Sequence, residues 1–162
     1  MPQENLRELE QQLNRVEQDR LRNTIEIRGI PVSNEEDVEQ LLCKVGLGLG
    51  LKIDPNDIDF SFRVKQPARS FGSSQSLKPT PIIVRFVRSG TATALIQAKR
   101  NKPHLTLGDL NIDAGPNHLR VYLNESLTPL NRKMYAAAKN LKMEGKIKYL
   151  SVRNSRVFVR VR

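Results

Sequence analysis

Apolar residues in the first twenty positions recur at alternating three- and four-residue steps. Leu6, Leu9, Leu13 and Val16 form the series, and Glu, Gln and Arg fill the positions between. This is the a/d seam of roughly two heptads, and it predicts a helix over 3–20. Two uses fit the stripe: docking onto the domain that follows, or oligomerisation with other copies of the chain. The pattern then changes to period two. NTIEIRGIP (Asn23–Pro31) predicts a strand ended by Gly29 and Pro31, with Ile25 and Ile27 inward and Glu26 and Arg28 outward.

Ser33 or Asn34 is placed to cap a second helix, with Glu35, Glu36 and Asp37 in its first turn and Val38, Leu41, Leu42 and Val45 along one face. The GLGLG run at 46–50 follows a helix and lacks a Lys-Ser or Lys-Thr pair. It reads as a frayed helix end and not as a phosphate loop. Ile58–Val64 alternates as a second strand, and Thr80–Val87 as a third. Between them lies a Ser/Pro/Gly-rich stretch, expected to be a mobile 66–80 loop holding Arg69 and Lys78. Ser89–Lys102 predicts a helix, and Leu105–Leu107 a short further strand. The order β-α-β-β-α-(β) is that of a split-βαβ, RRM-like domain.

After the break at Gly115-Pro116, Val121–Asn124 reads as another strand. Thr128 then offers a hydroxyl cap and Pro129 a first helical residue, and Gly145 ends the helix. Lys146–Arg162 predicts a β-hairpin turning at Asn154-Ser155. A two-residue turn sets Val152 opposite Val157 and Leu150 opposite Val159 on an apolar face. Arg153 with Arg156, Ser151 with Phe158, and Tyr149 with Arg160 share the other. The whole is an α+β chain in three parts: an oligomerisation helix over 1–21, an RRM-like domain over 22–114, and a basic strand-helix-hairpin domain over 115–162.

Charge sharpens this picture. The 162 residues carry a formal net charge of +10, and it is unevenly placed. Residues 1–20 sum to about −2 and residues 21–116 to about +3, while everything from Asn117 onward sums to about +9. In that last part only Glu125 and Glu144 oppose the bases. On the helix, Leu130, Met134, Ala137, Ala138 and Leu141 form the expected inward stripe. Arg132, Tyr135, Lys139, Lys142 and Lys146 recur at helical spacing on the expected outer face, with Lys133 beside them. A charge run on a helix is ordinarily a solvated face, but this one has a single sign.

The hairpin adds Arg153, Arg156, Arg160 and Arg162, whose guanidinium forks match phosphate oxygens. Tyr149 and Phe158 either stack on bases or pack under a neighbouring element. In the first domain Arg28, Arg63 and Arg85 are candidates for backbone contacts. The two expected central strands show Glu26, Arg28, Pro81, Ile83 and Arg85, without stacking aromatics, so base reading by this sheet is not expected.

Nothing points to catalysis. His104 and His118 are isolated, no Cys/His cluster has metal-ligand spacing, and Asp54, Asp57 and Asp59 lack a calcium-loop pattern. No cofactor, metal or small-molecule substrate is expected. Cys43 sits among Leu41, Leu42 and Val45 and reads as a small buried hydrophobe. No apolar run is long enough to span a bilayer and the N-terminus has no signal-peptide core. These features predict a soluble intracellular protein of cytoplasm or nucleus, without integral membrane contact.

The segments NTIEIRGIP, IDFSFRV and PIIVRFV ahead of a helix resemble the core of LINE-type retrotransposon first-open-reading-frame proteins, where a coiled coil runs directly into an RRM-like domain. The stretch from Val121, VYLNESLTPLNRKMYAAAKNLKMEGKIKYLSVRNSRVFVRVR, is similar to the C-terminal domain of the baculovirus few-polyhedra (FP) protein family. The resemblance implies a non-enzymatic nucleic-acid-binding protein that forms a trimer or dimer through its leading helix. It puts Arg132, Lys133, Arg153, Arg156 and Arg160 in the basic positions of the C-terminal unit. The LINE relatives coat RNA with chaperone character, whereas the baculovirus relative affects virion envelopment and occlusion. The leading helix here is shorter than in the LINE proteins, the 66–80 insertion is long, and there is no zinc knuckle. Single-stranded RNA or DNA, RNA preferred, is therefore the expected partner. The alternative is a structural adaptor whose basic face meets an acidic protein or a membrane surface.

Overall fold

Ten regular elements follow one another in the computed structural model, which describes residues 2–65 and 79–161. Most of the Gln66–Thr80 insertion, with Arg69 and Lys78, lies outside the described residues, as does Arg162. The elements are α1 (Pro2–Arg20), β1 (Thr24–Arg28), α2 (Val38–Gly48), β2 (Ile58–Arg63), β3 (Ile82–Phe86), α3 (Ser89–Asn101), β4 (Tyr122–Glu125), α4 (Pro129–Met143), β5 (Tyr149–Arg153) and β6 (Arg156–Arg160). The fold is mixed α+β, as the patterning predicts. Its division differs from the three consecutive parts expected: residues 23–124 form one compact unit, and residues 1–22 join 125–162 in the other.

In the first unit the strands lie in the order β2-β3-β1-β4. Ile25 faces Val84 and Ile27 faces Ile82, so the inward β1 positions meet those of β3. These four residues, with Phe86, form the centre of a core to which α2 contributes Leu42 and Val45, and α3 contributes Ala92 and Leu95. Each such side chain stabilises by roughly 1.5–3 kcal/mol when fully buried. Glu26, expected outward in solvent, is buried and paired with Arg28. Leu105–Leu107 is not a strand. Both leucines are fully buried, and their backbone is met locally by Leu119 and Val121, with one bridge between Thr106 and Arg120. The fourth strand comes instead from the segment expected to open the C-terminal domain, because Val121 and Leu123 belong to this core.

Local chemistry sets the boundaries. α2 starts at Val38, later than Ser33 or Asn34 would place it: Asp37 is the cap, accepting the Gln40 amide at 3.2 Å. Glu36 is drawn away to pair with Arg63. The glycine run that ends α2 is ordered, not frayed. A side chain at Gly46 would come within 2.8 Å of Ile53, and the Leu51 amide folds back to the Gly46 carbonyl at 2.8 Å. Gly29 has φ +98°, and a β-carbon there would lie 2.2 Å from the Arg120 carbonyl oxygen, so glycine is required twice over. Asp54 and Asp57 cap each other's backbone around a short 3-10 turn.

The second unit has little apolar interior. Among its described residues only Ala138 and Ile147 are buried hydrophobics. Its hairpin has the predicted register, Arg153 opposite Arg156 through Tyr149 opposite Arg160. Asn154 and Ser155 both have positive φ, as a type I′ turn demands. Thr128 caps α4 by accepting the Asn131 amide at 3.1 Å, Pro129 follows, and Gly145 (φ 78°) closes the helix.

α4 packs against both hairpin strands along a line that shares only Ala138 with the predicted stripe. Leu130, Met134 and Leu141 are exposed; Asn131, Tyr135 and Ala138 are the less accessible line. Hydrogen bonds set this rotation. Gln18 of α1 accepts from the Thr128 amide at 3.0 Å and the Asn131 side chain at 2.8 Å, and donates to the Ser126 carbonyl at 2.9 Å. Asn14 adds a bond to Asn131 at 3.0 Å. α1 thus docks by its polar Asn14/Gln18 face, and Leu6, Leu9, Leu13 and Val16 all stay exposed. Of the two uses read from the sequence, docking is seen, but through this polar face and not through the leucine stripe.

Candidate nucleic-acid interface

The cations of the second unit are displayed by a helix and a tight hairpin rather than by loops. Arg132, Lys133, Lys139 and Lys142 project from α4 and are exposed, since the packed line of that helix runs through Asn131, Tyr135 and Ala138. Arg153 and Arg156 stand directly opposite each other at the hairpin end, both exposed. The two acids of the segment are both occupied. Glu125 accepts the Ser155 amide at 3.2 Å, which ties it to the turn, and Glu144 pairs with Lys146 at 2.9 Å. The result is a surface of one sign, with arginine forks on either side of a two-residue turn.

Tyr149 and Phe158 do not pack under another element: both are about half exposed. The Tyr149 ring has the Lys148 ammonium 5.4 Å from its centroid and the Arg160 guanidinium 5.7 Å away. Lys148, which was not among the residues singled out from the sequence, belongs to the site for this reason and extends the hairpin by donating to the Arg160 carbonyl at 2.9 Å. Its signal was present as a base beside an aromatic just ahead of the strand. Tyr135, expected on the outer face with the bases, is half-buried on the packed side of α4. A groove of about 820 Å³ runs beside this surface, lined by Gln11, Asn14 and Arg15 of α1, Leu130 and Met134 of α4, and Arg156.

The three arginines of the sheet unit fare differently. Arg63 is removed from the candidate set. Its side chain is only 11% exposed, it is paired with Glu36, and it donates to the carbonyls of Ile30 and Thr80, each at 2.7 Å. The cause is a register shift between Ile58 and Phe60. This bulge places Ile58 opposite Phe86 but Phe60 opposite Arg85, which reverses the outward set of β2 and leaves Arg63 opposite buried Ile82. Arg28 reaches solvent while holding Glu26, and Arg85 is exposed with a long 3.5 Å contact to Asp59. The same bulge turns Phe60 and Phe62 out beside Arg85, so aromatics are present on β2 although the central strands lack them.

His104 is exposed, with its Nδ1 2.6 Å from the Arg120 guanidinium. Burial, and then the charge of Arg120, pushes the nearby Lys99 ammonium below its ordinary value. Among the described residues no group of three or more His, Cys, Asp or Glu could hold a metal ion, and no helix is long and apolar enough to cross a membrane. No protein-family model matches this chain, and no curated protein matches it.

Proposed function

We propose that this protein binds single-stranded nucleic acid, RNA in the first place, without catalysing a reaction, in the manner of a coat or chaperone protein of transposon or viral origin. The observation that carries the reading is the one-signed surface of α4 and the β5–β6 hairpin, where both local acids are already engaged. Arg132, Lys133, Lys139, Lys142, Arg153 and Arg156 meet phosphates, and Tyr149 and Phe158 offer exposed ring faces to bases. The strand order β2-β3-β1-β4, which is compatible with a split-βαβ sheet, and the resemblance to LINE first-open-reading-frame and few-polyhedra proteins support the same reading. The exposed Leu6, Leu9, Leu13 and Val16 stripe supports assembly of copies through α1.

The test is a titration of a labelled single-stranded RNA of about 20–30 nucleotides, longer than single-module site sizes, at several salt concentrations. If about six phosphates are met, log K falls with log salt at a slope near −4, and replacing Arg153 and Arg156 with Ala reduces that slope by roughly 1.4. Absence of binding at low salt defeats the reading and turns the basic surface toward an acidic protein or membrane.

A further inference from the structure

Phe60 and Phe62 stand outside the buried core of the sheet unit. They are 42% and 48% exposed on the edge strand β2, while every inward position of the neighbouring strand is filled by a buried Ile, Val or Phe. Their rings lie 6.1 Å apart between centroids with planes inclined by only 23°. A pair of nearly parallel rings at i and i+2 on a strand is a ready surface for planar ligands, because base–aromatic stacking needs a ring face and little else.

Charge around the pair favours a polyanion. Arg85 stands opposite Phe60, and Lys65, also exposed, follows Phe62 after two residues. The contact between Arg85 and Asp59 is long, at 3.5 Å, with both ends exposed, so it holds the guanidinium weakly and lets it turn to a phosphate. Strand addition by a second copy is the competing use of an edge. The bulge at Asp59 and the exposed charges of Asp59 and Lys65 work against it, since bulges and charges are what blunt an edge.

We infer that Phe60 and Phe62 form a base-stacking platform for single-stranded nucleic acid, distinct from the phosphate-binding surface of α4 and the hairpin. The inference rests on the nucleic-acid reading above and adds to it a salt-insensitive contact with bases. The experiment compares the full chain with its F60A/F62A, F60L/F62L and F60Y/F62Y variants. Each is titrated with a labelled oligouridylate of about 20 nucleotides and with an abasic strand of equal length, over a range of salt. F60A/F62A and F60L/F62L lose about ten- to a hundred-fold in affinity for oligouridylate. They keep wild-type affinity for the abasic strand and an unchanged salt slope, and F60Y/F62Y binds as wild type.

Leucine preserves apolar bulk on β2, so equal losses in the Ala and Leu variants separate stacking from misfolding. Unchanged oligouridylate binding by F60A/F62A overturns the platform and leaves the basic surface standing. A wild type that binds neither strand overturns both. A variant whose only change is a smaller sedimenting species overturns the platform in favour of contact between copies.

Discussion

Gln18→Leu isolates the device that joins α1 to α4. Gln18 is 5% exposed and makes three hydrogen bonds: it accepts from the Thr128 amide and the Asn131 side chain and donates to the Ser126 carbonyl. Leucine keeps most of the volume and removes all three. Asn131 is only half-buried and can turn to water, so its loss costs little. Thr128 and Ser126 are buried, and each backbone group left unpaired costs about 1–3 kcal/mol, or about 2–6 kcal/mol together. The unit cannot absorb this in its core, because Ala138 and Ile147 are its only buried hydrophobics among the described residues. Release of α1 is therefore the expected response.

Amide hydrogen exchange at Thr128, followed by NMR, reads this out. A cost of 2 kcal/mol lowers protection roughly 30-fold, at about 1.4 kcal/mol per factor of ten. Gln18→Glu keeps an acceptor for the Thr128 amide and places a negative charge near the α4 N-terminus, so its loss is smaller. Unchanged Thr128 protection in Gln18→Leu refutes the reasoning, and so does a larger loss in Gln18→Glu.

Two further outcomes follow from buried polar groups of the sheet unit. Arg63→Met leaves the Glu36 carboxylate and the Ile30 and Thr80 carbonyls without their donor, and costs about 3–5 kcal/mol in urea unfolding. The double variant E36Q/R63M recovers part of that, and a phosphate-contact role for Arg63 requires instead a changed salt slope with unchanged stability. Cys43, expected to be buried, is half-buried with its thiol donating to the Ile53 carbonyl at 3.3 Å, and desolvation, then the charges of Asp54, Glu39 and Asp37, push that thiol above its ordinary value. A raised value means less thiolate, so iodoacetamide at pH 8 reacts slowly with the native protein and quickly after unfolding; equal rates contradict this.

Much of the fold was legible in local pattern. The hairpin register followed from Asn154-Ser155 alone, because a two-residue turn admits one pairing and period-two alternation sets the faces. The cap at Thr128, the stop at Gly145 and the helix over 2–20 were equally local. The basic residues of α4 and the hairpin were legible as a one-signed set, since charge needs no tertiary contact to be read.

What failed were inferences of facing. Periodicity marked Leu130, Met134, Ala137, Ala138 and Leu141 as the inner line of α4, yet of these only Ala138 is buried, because Gln18, over a hundred residues away in the chain, pins Asn131 and turns the helix toward Tyr135. On β2 one extra residue at Asp59 sent Arg63 inward and Phe60 and Phe62 outward, and no alternation score contains a bulge. The strand at 122–125 joined the sheet because Val121 and Leu123 complete the core of a unit that the linear order had already closed.

By itself, then, the sequence determined the elements, their caps, the hairpin register and where the charge accumulates, all of which depend on neighbours within a few residues. Only the tertiary structure decided which helix face is buried, which arginines reach solvent and which aromatics are displayed. Those depend on hydrogen bonds and core contacts between segments far apart in the chain, whose energies outweigh the weak local preference of an amphipathic pattern.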